Sequence, residues 1–174
     1  VDRLISVGVN YLNKGEYTLA LDYYNRAGKI DVFFNEFNDE SDVVPNNIGI
    51  VYYLKQDYQS AIQFLEESMS IQLKRQENIG QEIDMETTTV LFLSYKNLGK
   101  EYDVKTIYQI IKETEFIGYA HNYYLYLLLE DKTYLETAYN QVQEKTDNLE
   151  PDIAAKFLSY PIPKAIVEEW EKVK

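Results

Sequence analysis

The residues that could do chemistry are few. The chain has one histidine, His121, in the stretch GYAHNYYLY. A catalytic histidine needs a nucleophile or a carboxylate aimed at it, and no motif around His121 supplies either. A packed or rim histidine on an aromatic helix is the expectation. Asp39, Glu40 and Asp42 gather with Asn35 and Asn38. They lack the central glycine and the distal glutamate of a calcium loop, so a solvated acidic linker is expected. Glu66-Glu67 and Glu168-Glu169 are adjacent in sequence and diverge around their helices, which makes them surface residues. There is no glycine-rich phosphate loop and no cysteine. Neither a catalytic residue, nor a metal, nor a cofactor is expected.

Composition narrows the partners. The chain has 174 residues, 17 basic and 29 acidic, with a net charge of −12. A chain this acidic is repelled by a phosphate backbone, so direct nucleic-acid contact is not expected. Anionic membrane surfaces are disfavoured on the same ground, and no apolar run reaches the length of a membrane span. The absence of cysteine favours the cytoplasm. Val1 opens the chain without a methionine or a signal peptide, and a piece of a longer protein is expected.

The elements that position these residues are written in a repeat. Gly8, Tyr11, Gly15, Tyr17, Ala20, Tyr24 and Ala27 recur 41 residues later as Gly49, Tyr52, Gln56, Tyr58, Ala61, Leu65 and Ser68. The one clear loss is Gly15 to Gln56. Small residues at 8, 20, 49 and 61 let two helices approach, and Tyr24 or Leu65 fills the space beside them. Gly15 can take a positive φ and stop a helix. Glu16 and Asp57 put negative charge at the start of the next one. A third copy runs through Leu91, Tyr95, Gly99, Val104, Tyr108 and Ile111, with Phe92 in place of the glycine and Val104 in place of the alanine. A fourth places Ala138 at the small position, with Tyr126 and Leu129 before it. Helices are expected near 2–14 and 16–30, 43–55 and 57–76, 84–98 and 100–114, and 116–130 and 132–147. Ser41 or Asp42 can cap the third, with Pro45 in its first turn. Phe33, Phe34 and Phe37 could extend the second helix over the core. The stretches 35–47 and 76–84, the latter with Gly80, are expected as exposed connections or frayed ends.

The tail follows a different pattern. Pro151 opens a short helix through Leu158, and Pro161 and Pro163 are expected to break the chain. A final helix, KAIVEEWEKVK, carries Ile166, Val167, Trp170 and Val173 on one stripe. Trp170 is the expected cover for the last apolar face.

This pattern resembles the tetratricopeptide repeat, whose unit is 34 residues. Leu4 matches the family's opening position. The proline expected near Val32 is missing, and the step of 41 is longer than the family's. The resemblance implies an all-α fold: a right-handed superhelix of about four antiparallel helix pairs with a C-terminal capping helix. The units fall near 1–34, 42–78, 84–114 and 116–147, with the cap at 150–174, in a single domain. The tail, through Phe157, Leu158, Pro161, Ile166 and Trp170, resembles the end of such repeat regions in multidomain bacterial signalling regulators.

The resemblance also implies a binding function. The family's groove positions fall on Ile5, Val9, Leu12 and Asn13. They then fall on Asn46, Asn47, Ile50, Tyr53 and Leu54, on Thr89, Leu93, Lys96 and Asn97, and on Tyr123 and Leu127. An asparagine offers two donors and an acceptor to a peptide backbone. The alternative for Asn46 and Asn47 is that they merely follow Pro45 at a helix start. The family's subtype that holds a C-terminal carboxylate uses lysine, arginine and asparagine on its first helices. Ile5 and Val9 stand at two of those places, and Glu86 and Val90 stand where basic residues are needed. Asn47 alone survives, so an anionic terminus is not the expected ligand. The negative charge favours a neutral or basic protein or peptide partner. Two readings follow: a non-catalytic scaffold, or a regulatory domain that controls an attached transcription factor or nucleotide cyclase. A hydrolase built on helical repeats would need an acid–base site, which is not found. Self-association through exposed end faces is a further expectation.

Overall fold

Helix-forming stripes account for every regular element of the computed structural model, which describes residues 1–34, 41–79 and 83–174. Among the described residues ten helices follow one another: α1 (Asp2–Asn13), α2 (Tyr17–Phe34), α3 (Val43–Leu54), α4 (Tyr58–Ile79) and α5 (Met85–Asn97) come first. Then come α6 (Val104–Glu113), α7 (Tyr119–Leu129), α8 (Lys132–Asp147), α9 (Pro151–Leu158) and α10 (Pro161–Val173). Phe33 and Phe34 close the span of α2. Phe37, Gly80 and the cluster from Asn35 to Glu40 lie outside the described residues. The chain divides into two compact units. Val1–Leu12 with Glu16–Glu113 make the first, and Asn13–Gly15 with Thr114–Lys174 make the second.

The turns between helices share one device. Gly15, Gln56, Gly99 and Glu130 all hold a positive φ, between 58° and 78°. Each stands four residues after a tyrosine: Tyr11, Tyr52, Tyr95 or Tyr126. In the first three turns the next residue's N–H donates to that tyrosine's carbonyl. The bonds from Glu16 to Tyr11, Asp57 to Tyr52 and Lys100 to Tyr95 are all 2.9 Å. This six-to-one closure satisfies a carbonyl that the ending helix leaves open. In the fourth turn Glu130 donates its own N–H to Tyr126, at 2.8 Å, the shorter form of the same cap. The left-handed conformation therefore survives where glycine was lost. A side chain there costs about 1 kcal/mol, so Gln56→Gly is expected to stabilise the chain by about that amount in urea unfolding.

The first two helix pairs repeat their packing as well. A Cβ on Gly8 would overlap Cε1 of Tyr24, and one on Gly49 would lie 2.6 Å from Cγ of Leu65. Tyr11 stacks on Tyr23 with centroids 5.5 Å apart. Tyr52 stacks on Phe64 at 5.6 Å, and each ring stands 41 residues after its counterpart. Ala20, Tyr24 and Ala27 of α2 meet Val44, Ile48 and Val51 of α3 in one buried cluster, with Leu4, Ile5, Val9 and Leu12 of α1 against it. Both buried triplets run at i, i+4, i+7, the spacing of a single helix face.

Two expectations about boundaries are corrected. The third copy begins its second helix at Val104, later than the expected 100. The fully buried position there is Ile107, not Val104. Phe92, standing where the first two copies have glycine, meets Tyr102 at 5.3 Å, so the connection carries a ring that the compact turns lack. Pro161 and Pro163 also do not break the chain. They lie in the first turn of α10, where a missing N–H leaves no intrahelical bond unmade.

The second unit is built around Leu135, Ala138 and Val142 of α8, Phe157 of α9 and Ile166 of α10, all buried. Trp170 stacks on Tyr139 at 5.4 Å. Lys145 Nζ sits 4.8 Å over the Phe157 ring. Lys132 Nζ donates to the carbonyl of Val173 at 3.1 Å. The final helix thus packs its apolar stripe on α8, as the spacing of Ile166 and Trp170 predicts.

Candidate binding site

The candidate partner residues sit on α1, α3, α5 and α7, and the structure treats them unequally. Asn13 is exposed at the end of α1, while Ile5, Val9 and Leu12 are half-buried against the first cluster. Asn47 is half-buried, and its Nδ2 donates to its own helix at the Val43 carbonyl, 2.8 Å away. Asn97 is exposed and does the same to Leu93, at 2.8 Å. Each amide keeps its Oδ1 and a second N–H beyond that bond. Tyr53 is half-buried with its ring 5.8 Å from Tyr58, and Leu54 and Lys96 are half-buried too. Tyr123 and Leu127, also half-buried, lie on α7 of the second unit, where Tyr123 joins the cluster that includes Val167 and Trp170 of α10.

Three assigned positions offer no surface. Ile50 is 3% exposed, and Thr89 and Leu93 are 2% exposed. The reason lies in the neighbours: α2, α4 and α5 all pack on α3, and α3, α4 and α6 all pack on α5. A helix covered from three sides buries residues beyond one stripe. Ile50 is therefore a core residue, and Thr89 spends its hydroxyl on the Met85 carbonyl at 2.7 Å.

Asn46 belongs to a polar network that sequence reasoning missed. Its Oδ1 accepts from Thr87 Oγ1 at 3.0 Å, which joins the N-terminal ends of α3 and α5. Gln72 of α4 donates from Nε2 to Thr87 Oγ1 at 3.0 Å and to Asp42 Oδ2 at 2.9 Å. Its Oε1 accepts the backbone N–H of Asp84 at 2.9 Å. Asp42 pairs with Arg75, both side chains largely buried, and its carbonyl accepts from Ser68 Oγ at 3.0 Å. Asp84 caps α5 by accepting from the Thr87 N–H at 2.7 Å. So Asp42 is neither a solvated linker residue nor a side-chain cap for α3: its carboxylate goes to Gln72 and Arg75. A signal existed. Ser68, Gln72 and Arg75 continue the Ala61–Leu65 stripe at four- and three-residue steps, so polar residues were written onto a core face.

The paired glutamates are also more than surface charge. Glu66 Oε1 accepts from the Tyr95 hydroxyl at 2.6 Å, and Glu169 Oε1 accepts from Tyr126 at 3.0 Å. Burial, then the Glu66 hydrogen bond, pushes Tyr95 up to about 12. Burial and then the charge of Glu169 do the same to Tyr123. A phenol raised in the folded state contributes stability that is full below its unfolded value near 10 and is lost as pH rises towards 12. Alkaline unfolding is expected to begin in that window. A tyrosinate absorbance titration of Tyr95→Phe and Tyr123→Phe should each remove one ionisation from the late step. An unchanged late step would contradict the assignment.

Elsewhere the chemistry is sparse. His121 lies half-buried on α7. Among the described residues no group of three or more histidine, aspartate or glutamate side chains could hold a metal ion. Among them, too, no helix is long and apolar enough to cross a membrane. Comparison with known proteins adds no relative: no family model, no curated protein and no solved structure matches the chain.

Proposed function

We propose that this chain is a non-catalytic interaction domain of tetratricopeptide type, which holds a protein or peptide against the first helices of its repeats. Its architecture on this reading is a right-handed superhelix of about four antiparallel pairs, capped by α10. The observation that carries the reading is the recurring turn: a tyrosine, a left-handed residue four positions on, and a return hydrogen bond to the tyrosine carbonyl. Repetition of one supersecondary unit is the mark of stacked arrays, and such arrays bind along extended surfaces. The groups on α3 and α5 that solvent reaches include Asn47, Tyr53, Lys96 and Asn97. An aromatic face, amide groups and a cation suit an extended peptide backbone with apolar side chains. The net charge of −12 favours a neutral or basic partner over an acidic one.

The test is a paired capture. The immobilised chain and a variant carrying Asn47→Ala, Tyr53→Ala and Asn97→Ala are exposed to the same native lysate, after circular dichroism shows equal helix content. A partner held by the first and lost by the second supports the assignment. Equal capture by both moves the binding surface away from α3 and α5.

A further inference from the structure

We infer that the outer face of α2 is a contact between two copies of this chain, paired antiparallel along the helix. Leu19 of one copy packs on Ile30 of the other, and Tyr23 on Arg26. The inference uses none of the residues of the groove reading and stands apart from it.

Leu19, Tyr23, Arg26 and Ile30 follow one another at steps of four, three and four residues, the spacing of a coiled-coil seam. The seam runs beside the fully buried Ala20 and Ala27, not through them. Leu19 is 41% and Ile30 37% exposed, so an aliphatic side chain stands partly in water at each end. Between them Tyr23 is half-buried, and Arg26 Cζ lies 5.1 Å from its ring centroid. The order along the seam is apolar, aromatic, cationic, apolar. Turned end for end, that order sets Leu19 opposite Ile30 and Tyr23 opposite Arg26, and both pairs centre on one point between Tyr24 and Asn25. A two-fold axis at that point makes each contact occur twice. Guanidinium on a tyrosine face is a favourable pair, whereas parallel helices would set Arg26 against Arg26. The flanking charges obey the same symmetry. Asp22 and Lys29 are both exposed, and each stands one residue before a seam position, on the same flank. In the antiparallel register Asp22 faces Lys29 of the second copy, and Lys29 faces Asp22. The helix carries two acidic and two basic residues, so it is locally neutral in a chain of net charge −12. It is therefore a face along which two such acidic chains can approach. An arginine in the seam fixes the register and costs affinity, so the pair is weak, in the micromolar to millimolar range.

The experiment is sedimentation equilibrium of the full chain from micromolar to millimolar concentration, at about 0.15 M salt, where long-range repulsion is screened. Wild type is expected to pass from monomer to dimer across that range. Asp22→Lys sets lysine against Lys29 of the second copy, and Lys29→Asp sets aspartate against Asp22. Each should weaken the dimer about tenfold, because two attractive pairs become two repulsive ones. The two variants move the net charge in opposite directions, so a general charge effect would strengthen one and weaken the other. The combined variant exchanges the charges and should return to within about twofold of wild type. Damage to the helix itself would not be undone in this way, since seven residues separate the two positions. Circular dichroism checks that all four chains hold equal helix content. A wild-type chain that stays monomeric at millimolar concentration overturns the inference. A dimer equally strong in both single variants assigns the contact to another surface. A combined variant as weak as the single ones overturns the antiparallel register.

Discussion

Gly49→Val is expected to lower the stability of the chain by about 3 kcal/mol, the upper end of what overpacking a core costs. The added Cβ would sit 2.6 Å from Leu65 Cγ and 3.3 Å from the Ala61 carbonyl. Leu65 and Ala61 are both 0% exposed, so neither has room to withdraw. The valine also gains a few tenths of a kcal/mol in helix propensity over glycine, too little to offset the clash. Gly8→Val meets Tyr24 in the same way and should lose as much. Urea unfolding measures both. Adding Leu65→Ala to Gly49→Val should return part of the loss, since the two sites share one contact. A Gly49→Val chain as stable as wild type would mean that α3 and α4 do not meet at the repeated glycine.

Ile166→Ala is expected to cost about 2–5 kcal/mol. Ile166 is 0% exposed in the core of the second unit, where it meets the buried faces of α8 and α9. Trp170→Ala should cost less, because that ring is half-buried and stacks on Tyr139 near the surface. Thermal unfolding followed by tryptophan fluorescence reports the Ile166 effect directly, since Trp170 is the only tryptophan. Equal stability of Ile166→Ala and wild type would make α10 an appendage and not part of the core.

Much of the helical framework was legible because it rests on contrast between neighbouring residue sizes. Gly8 against Tyr24 and Gly49 against Leu65 are large–small pairs that only close helix approach explains. The expected helix bounds left a turn near each left-handed residue, but that residue was legible only where it is glycine and hidden at Gln56 and Glu130, where a side chain occupies the same conformation. The glycine is a convenience there, and the tyrosine four residues earlier is the steadier mark. Pro161 and Pro163 were misread because proline breaks a helix interior and starts a helix equally well. The candidate site was less legible. Ile50 shares the apolar type of a groove residue and of a core residue, and only the packing of α2, α4 and α5 around α3 decides between them. Glutamine and threonine are mostly exposed types, yet Gln72 and Thr87 are 3% and 0% exposed. Their burial depends on partners far along the chain that no local spacing announces.

The most direct test of the binding account is amide hydrogen exchange of the whole chain, with and without a selected peptide at saturation. Slower exchange at the ends of α3 and α5 that carry Tyr53, Lys96 and Asn97, and at the start of α3 beside Asn46, is the predicted result. Protection confined to α2 and α4, or to α8, α9 and α10, would contradict it and assign the partner to another surface.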